Sequence, residues 1–262
     1  GKLFNLSLGL VDLTILSNNE RGLYYTPKIN FDYAFAKDIL IGYVDFSRKY
    51  TRNYYLEYMD QNLFIGSNVP HTNSFEKTNI TLGVKGAMSS KTTFNVGVQY
   101  KKVDDFVLFV NDINTIGNRK FTVIIDDVVQ KRLFGELMFE NKKVKSGLLA
   151  EYNSYDVFAN EAYHLPSFKA QVYVKYNVQD KFEIGTDVFY YGKQLALDTD
   201  PLSTGAKTLD PILDFNISIN YHYSDKIGGF LKVNNVLSTK HQRWNQYQNF
   251  GINILGGLSF KF

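Results

Sequence analysis

From Phe168 to Tyr176 every second residue is apolar: Phe168, Ala170, Val172, Val174 and Tyr176 alternate with Lys169, Gln171, Tyr173 and Lys175. The pattern returns at Phe94, Val96, Val98 and Tyr100, at Phe182, Ile184, Val188 and Tyr190, and at Leu213, Phe215, Ile217, Ile219, Tyr221 and Tyr223. A period of two sends successive side chains to opposite faces of a strand, and no long stretch carries the 3.6-residue period of a helix. The chain therefore reads as all-β and a single domain, 1–262. About twelve strands are expected, near 2–16, 23–35, 39–51, 78–87, 92–109, 121–140, 144–158, 168–177, 181–195, 212–223, 227–237 and 251–262.

The connections constrain the architecture further. Ala36 to Asp38, Met88 to Lys91, Asn141 to Lys143, Val178 to Asp180 and Ser224 to Lys226 are very short. Arg52 to Lys77, Asn111 to Lys120, Ala159 to Ser167, Ala196 to Pro211 and Ser238 to Phe250 are long, and Asn18 to Gly22 is the one short member of that set. Short and long connections alternate, which sorts them onto opposite ends of the strands. Bacterial outer-membrane barrels have this asymmetry, with short periplasmic turns and long extracellular loops. A soluble sandwich has no reason to adopt it.

Composition agrees. No run of 18 apolar residues exists to form a helical span. Tyr (19) and Phe (21) are abundant, suiting pleated surfaces and membrane interfaces, while five Pro leave nearly every strand N–H available. The absence of Cys fits passage through an oxidising compartment. A formal charge of +3, evenly spread, gives no footprint for nucleic acid.

Twelve strands close into a barrel wider than a dry side-chain core can fill, so the apolar set is assigned to lipid and the charged set to the lumen. The lumen then carries Lys28, Asp32, Lys85, Lys101, Glu136, Glu151, Lys169, Glu183, Asp187 and Lys232, both signs together. Aromatics of the lipid set cluster beside the short turns at Phe35, Phe94, Tyr176, Phe182, Tyr223 and Phe262, as a membrane-interface girdle requires. The expected fold is a transmembrane antiparallel up-and-down β-barrel.

No catalytic, cofactor or metal constellation emerges. His71, His164 and His241 fall in loops and His222 in a strand, without metal-ligand spacing. His222 has Ser218 four residues before it on a lumenal face, a spacing common by chance. Asp104-Asp105, Asp126-Asp127 and Asp198/Asp200 read as solvated carboxylates rather than a calcium site. The expectation is a non-enzyme. His241, Arg243, Trp244 and Tyr247, in the last long loop, are the candidate extracellular contacts.

At the C-terminus Ile252, Ile254, Leu258, Phe260 and Phe262 share one face. A last strand ending in Phe resembles the assembly signal of outer-membrane barrels, and implies the barrel-assembly machinery as a partner of Ile254, Leu258, Phe260 and Phe262. Lys232-Val233-Asn234-Asn235-Val236-Leu237, then Arg243-Trp244-Asn245-Gln246-Tyr247 and Gly251-Ile252, resemble the end of TonB-dependent receptors. Tyr25-Thr26-Pro27-Lys28-Ile29-Asn30, Ile41 to Arg48 and Asn79 to Gly86 are similar to strands from the middle of such barrels. The resemblance implies residence in the outer membrane of a Gram-negative bacterium and a part in nutrient uptake. It implies lipid, a plug domain, a periplasmic energy-coupling protein or a surface lipoprotein as partners. The plug domain and coupling peptide of that family have no counterpart in these residues. A passive porin-like channel and a non-transporting scaffold in a multi-protein complex are the alternatives.

No leader precedes the strand pattern that begins at Lys2, and Gly1-Lys2 reads as half of a tight turn. The chain is thus expected to be the C-terminal portion of a larger, 22-stranded barrel rather than a closed barrel of twelve. If the terminal strand is an assembly signal, deleting Phe262 lowers insertion in cells far more than it lowers the unfolding midpoint of protein already folded. Surface levels equal to the parent protein would contradict that role.

Overall fold

The computed structural model describes residues 4–17, 20–36, 39–179, 181–200, 203, 205–224 and 226–261, and the side chains among them except in 10–25. Twelve strands form one antiparallel sheet: β1 (Phe4–Ser17), β2 (Glu20–Ala36), β3 (Leu40–Asn53), β4 (Thr72–Ser89), β5 (Thr92–Asn111), β6 (Phe121–Glu140), β7 (Val144–Val157), β8 (Phe168–Val178), β9 (Phe182–Tyr191), β12 (Ile212–His222), β13 (Ile227–Asn234) and β16 (Asn253–Phe260). Each pairs with the next in that order. Two small hairpins stand outside it: β10 (Gln194–Leu197) with β11 (Ala206–Leu209), and β14 (Gln242–Trp244) with β15 (Tyr247–Gln248). A short helix, α1 (Tyr55–Gln61), lies between β3 and β4. Among the described residues β1 and β16 are the two edges of the sheet and are not paired with each other.

The short connections are built by turn chemistry. Asn141 Oδ1 accepts from the backbone N–H of Lys143 (2.8 Å) and Val144 (2.7 Å), closing β6 onto β7 as an Asx turn. The Ser89 hydroxyl accepts from the Lys91 N–H at 3.2 Å between β4 and β5. Gly1-Lys2, Lys37-Asp38, Asp180 and Asp225 lie outside the described residues.

Several expected boundaries need correction. β4 begins at Thr72, not near 78: a bulge between Glu76 and Thr78 breaks its alternation, and the polar run before it hides the strand. The segment expected at 181–195 ends its sheet pairing at Tyr191, and Gln194 to Leu197 turn away to pair with β11. The long connections at 52–77, 196–211 and 238–250 thus hold a helix and two hairpins. The strand expected to reach 237 stops at Asn234.

The two faces of the sheet differ sharply. On one, Leu82, Val96, Val98, Leu133, Leu148, Val172, Leu231 and Ile254 are all exposed, Leu133 at 58% and Ile254 at 65%. On the other, polar groups bond to one another across strands. Lys85 pairs with Asp32 at 2.8 Å, Arg132 and Lys169 each pair with Glu151 at 2.8 Å, and Asn220 donates to Glu183 at 3.2 Å. Apolar outside and ion-paired inside is the reverse of a soluble domain, whose exposed apolar patches rarely exceed a few hundred Å². Aromatics bracket the apolar face on single strands: Phe168 and Tyr176 on β8, Phe182 and Tyr190 on β9. Eight residues at ~3.3 Å each separate the brackets by about 26 Å along the strand, the scale of a barrel's apolar band.

Four glycines on the polar face sit directly opposite an aromatic ring: Gly83 opposite Tyr43, Gly97 opposite Phe134, Gly147 opposite Tyr173, and Gly257 opposite Phe230. Each ring lies over its glycine, filling space that a Cβ would contest. At Gly97 the conflict is hardest, because a Cβ would stand 2.7 Å from both the Leu82 carbonyl oxygen and the Phe134 ring. Gly97→Val is expected to cost about 1–3 kcal/mol through that overpacking. Gly135→Ala, whose Cβ meets nothing closer than Val96 at 3.7 Å, is expected to be near neutral. Denaturant unfolding in detergent checks both, and equal midpoints would contradict the packing argument.

Candidate functional site

The long connections converge at one end of the sheet. The β5–β6 hairpin runs past a bulge at Asp104-Asp105, where Asp105 takes φ 54°, and carries Phe109, Phe121 and Val123 to its tip. These pack with Tyr58 of α1, Ile65 and Val69 into a small buried core. Backbone bonds bind the α1 connection to it: the Phe121 N–H donates to Phe64 O at 2.9 Å and the Gly66 N–H to Phe121 O at 2.7 Å.

Trp244 of β14 packs on this core, 5.4 Å from both Phe109 and Phe121, and Tyr247 of β15 stacks on Phe64. The ring neighbours of Trp244 come from other connections of the chain. Arg243 donates to the carbonyl of His164 at 3.0 Å and to the Gln194 side chain, with its guanidinium over the rings of Trp244 and Tyr191. Arg243 itself remains exposed. Arg243, Trp244 and Tyr247 are thus brought together. His241 is not part of this cluster; its backbone N–H donates to Asn249 Oδ1 at 2.8 Å, and burial holds its imidazole below the usual range, partly offset by Asp214.

Sequence reasoning placed His164 in a loop and gave it no role. It lies at the centre, 2% exposed, 4.9 Å from Trp244 and 5.4 Å from Phe121, with both ring nitrogens unpartnered among the described residues. Gln194 was concealed inside an expected strand. Below them the polar face holds a cavity of about 200 Å³ lined by Arg132, Glu151, Lys169, Gln171 and Tyr191. The arrangement offers a guanidinium held by His164 O and Gln194, stacked rings and a charged wall. Those groups suit recognition of a ligand. Among the described residues no three His, Asp or Glu gather as metal ligands. Ile254, Leu258 and Phe260 lie along one face of β16, all exposed; Phe262 is outside the described residues.

Asn245 between β14 and β15 donates to Asn111 Oδ1 of β5 at 3.0 Å, and Asn111 donates back to the Asn245 carbonyl. In the sheet β5 and β13 are six neighbours apart. At ~4.8 Å per strand that is about 29 Å across a flat sheet. Connections at those places touch only if the sheet curls strongly about the strand direction. No family model and no curated protein matches the sequence. Solved structures do. The pyoverdine outer-membrane receptor FpvA of Pseudomonas aeruginosa superposes with TM-score 0.69 at 13% identity, covering 98% of this chain and 40% of that one. The FrpB iron transporter of Neisseria meningitidis gives 0.67 at 12%, covering 100% and 42%. The copper transporter OprC gives 0.64 at 11%, covering 93% and 41%. The fold is that of the TonB-dependent receptor barrel. These barrels are receptors and transporters rather than enzymes. The chain spans about two fifths of the length of those it matches.

In this barrel wall the buried His164 imidazole is pushed down to about 4, first by loss of water and second by the Arg243 charge. An unfolded histidine titrates near 6.5, so between the two values the opened loop binds more protons than the closed one. The cluster therefore loses stability as pH falls from about 6.5 to about 4, on the order of 3 kcal/mol in all. Hydrogen exchange at residues 159–167 and 238–250 should rise on acidification beyond the intrinsic rate change. His164→Asn, which suits the φ of 57° at this position, should flatten that response. A variant with undiminished pH dependence would rule His164 out.

Proposed function

We propose that this chain is a wall section of an outer-membrane receptor barrel of TonB-dependent type, taking part in nutrient uptake across the Gram-negative envelope. The observation that carries the reading is the inversion of the sheet: an aromatic-bracketed face outside with no charge across its middle and an ion-paired face inside, on a curled wall that superposes on siderophore and metal receptors.

In hydrocarbon an unpaired sheet edge leaves N–H and C=O groups unsatisfied at several kcal/mol each. The outer edges of β1 and β16 need partners, and we infer that further strands of a larger barrel supply them. A closed twelve-stranded channel requires β1 to pair with β16, a pairing absent among the described residues. In the complete receptor Arg243, Tyr191 and the loop cluster face the entrance, where an anionic or metal-chelating nutrient is met by a guanidinium and stacked rings. Ile254, Leu258, Phe260 and Phe262 serve recognition by the assembly machinery.

Adjacent residues on β8 test the facing. Val172 is 43% exposed on the apolar face, and Gln171 lines the polar cavity. Val172→Arg should impair insertion into lipid bilayers, at roughly 2–4 kcal/mol near the midplane. Gln171→Arg should insert normally. Equal behaviour of the two in a bilayer-folding assay would overturn the orientation.

A further inference from the structure

We propose that the inner face of β8, β9, β12 and β13 carries a binding site for a zwitterionic peptide of two or three residues, its carboxylate met by Lys175 or Lys232 and its ammonium by Asp187 or Glu183. The proposal rests on the reading of the polar face as the lumen of a barrel.

The site is a cavity of about 370 Å³ whose walls include those four charged side chains. Register fixes their layout. Lys175, Gly185, Ser218 and Lys232 form one row across the four strands. Three strand spacings of ~4.8 Å put the two lysine Cα atoms about 14 Å apart along the sheet. On β9, Asp187 and Glu183 lie two residues to either side of Gly185, about 13 Å apart at ~3.3 Å per residue. Two cations thus face each other across the strands, and two carboxylates along them. The centre is low: Gly185 has no side chain, and the Ser218 hydroxyl lies over it, 2.5 Å from where a Cβ would stand.

Elsewhere on this face opposite charges close on one another. Lys85 meets Asp32 at 2.8 Å, Lys169 meets Glu151 at 2.8 Å and Lys101 meets Glu76 at 3.7 Å. Around Gly185 they do not. Among the described residues Lys175 and Asp187 have no hydrogen bond or ion pair, Lys232 has only the Phe230 ring at 5.9 Å, and Glu183 only the Asn220 amide at 3.2 Å. The four formal charges cancel. A simple anion is repelled by the carboxylates and a simple cation by the lysines, whereas a molecule carrying both charges satisfies both sets. The diagonal from Asp187 or Glu183 to Lys232 covers two strands and two residues, about 12 Å between Cα atoms. Two or three extended residues span about 7–10 Å, and the side chains of the site make up the difference. Ser218, Asn216 and Asn234 line the cavity to meet the peptide's own N–H and C=O groups, and Phe189 offers a ring to an apolar side chain. Phe189 also lines the cavity that holds Arg132, Lys169 and Tyr191, so the two cavities adjoin and the polar wall is continuous from Tyr191, under the loop cluster, to this site.

Isothermal titration calorimetry of the full protein in detergent at low salt tests this with two probes of one backbone: trialanine, and trialanine acetylated and amidated at its ends. Trialanine should bind at one saturable site, with the capped peptide about tenfold weaker or more and the affinity falling as salt rises. Lys175→Gln with Lys232→Gln should weaken trialanine about tenfold, and so should Asp187→Asn with Glu183→Gln. Lys142→Gln, in a short turn, should leave it unchanged. If a double variant does not fold, Lys175→Gln or Asp187→Asn alone carries that arm at about threefold, since neither side chain has a partner to lose. No saturable binding of trialanine, equal binding of the capped peptide, or equal loss in Lys142→Gln would overturn the site. Loss in the lysine variant alone would overturn it too, leaving a simple anion patch, and loss in the carboxylate variant alone would leave a cation patch. Equal bilayer insertion of Val172→Arg and Gln171→Arg would instead put the facing of the sheet at fault.

Discussion

A strand with lipid on one side must hand every backbone N–H and C=O to a neighbouring strand, because hydrocarbon offers no substitute partner. That requirement accounts for the plainest features of this wall. The sheet pairs each strand with the next, antiparallel throughout, and the short turns are closed by side chains that accept the turn's own N–H groups, as Asn141 and Ser89 do. Once the backbone is satisfied in the plane of the sheet, the two faces are free to differ. One carries Leu, Val, Ile, Phe and Tyr outward. The other carries charge inward.

The inward face faces a second problem. A wide barrel cannot be filled by its own side chains, so polar groups there have to satisfy one another along the wall. Glu151 does so with two partners, Arg132 and Lys169, whose attraction together with the hydrogen bonds holds its carboxyl charge in place across β6, β7 and β8. The glycine–aromatic pairs solve a steric version of the same problem. A ring laid over a glycine on the next strand covers bare backbone and lets the wall bend there, and the pairs occur on β3–β4, β5–β6, β7–β8 and β13–β16.

The strand pattern was legible from the residues because a half-polar sheet writes its facing into every second position. Val172 and Gln171 could be assigned to opposite faces with no structure in hand. Where local rules are interrupted, the reading slipped. The bulge at Glu76–Thr78 shifts the alternation by one and concealed the first turns of β4. The apolar run Val188 to Tyr191 carried the expected strand on to Gln194 and beyond, but sheet pairing ends at Tyr191 and the chain after Gly192 and Lys193 pairs instead with β11, some ten residues ahead. The loop cluster was half visible. Arg243, Trp244 and Tyr247 stood out as a dense aromatic and basic run, whereas His164 and Phe121 join them only through tertiary contacts between residues about 80 and more than 120 positions away. No local pattern encodes such a meeting.

That cluster is physically different from the wall beneath it. The wall pairs its charges at Glu151, Asp32 and Glu183, whereas in the cluster both nitrogens of His164, Nε2 of Gln194 and Oδ1 of Asn245 are buried without partners among the described residues. Each such group costs roughly 1–3 kcal/mol against a solvated alternative. What opposes the cost is aromatic contact, Trp244 on Phe109 and Phe121 and Tyr247 on Phe64, at about 0.5–1.5 kcal/mol per pair beyond area burial. The loops therefore close against a polar cost, while the strands below are held by a full ladder of backbone bonds. Segments that must admit and release a ligand come from the low-stability end of a structure. For a chain proposed to be part of a receptor wall, a rigid sheet carrying a more weakly held cap of loops suits ligand entry, and the weakness follows from the polar atoms the fold leaves unpaired.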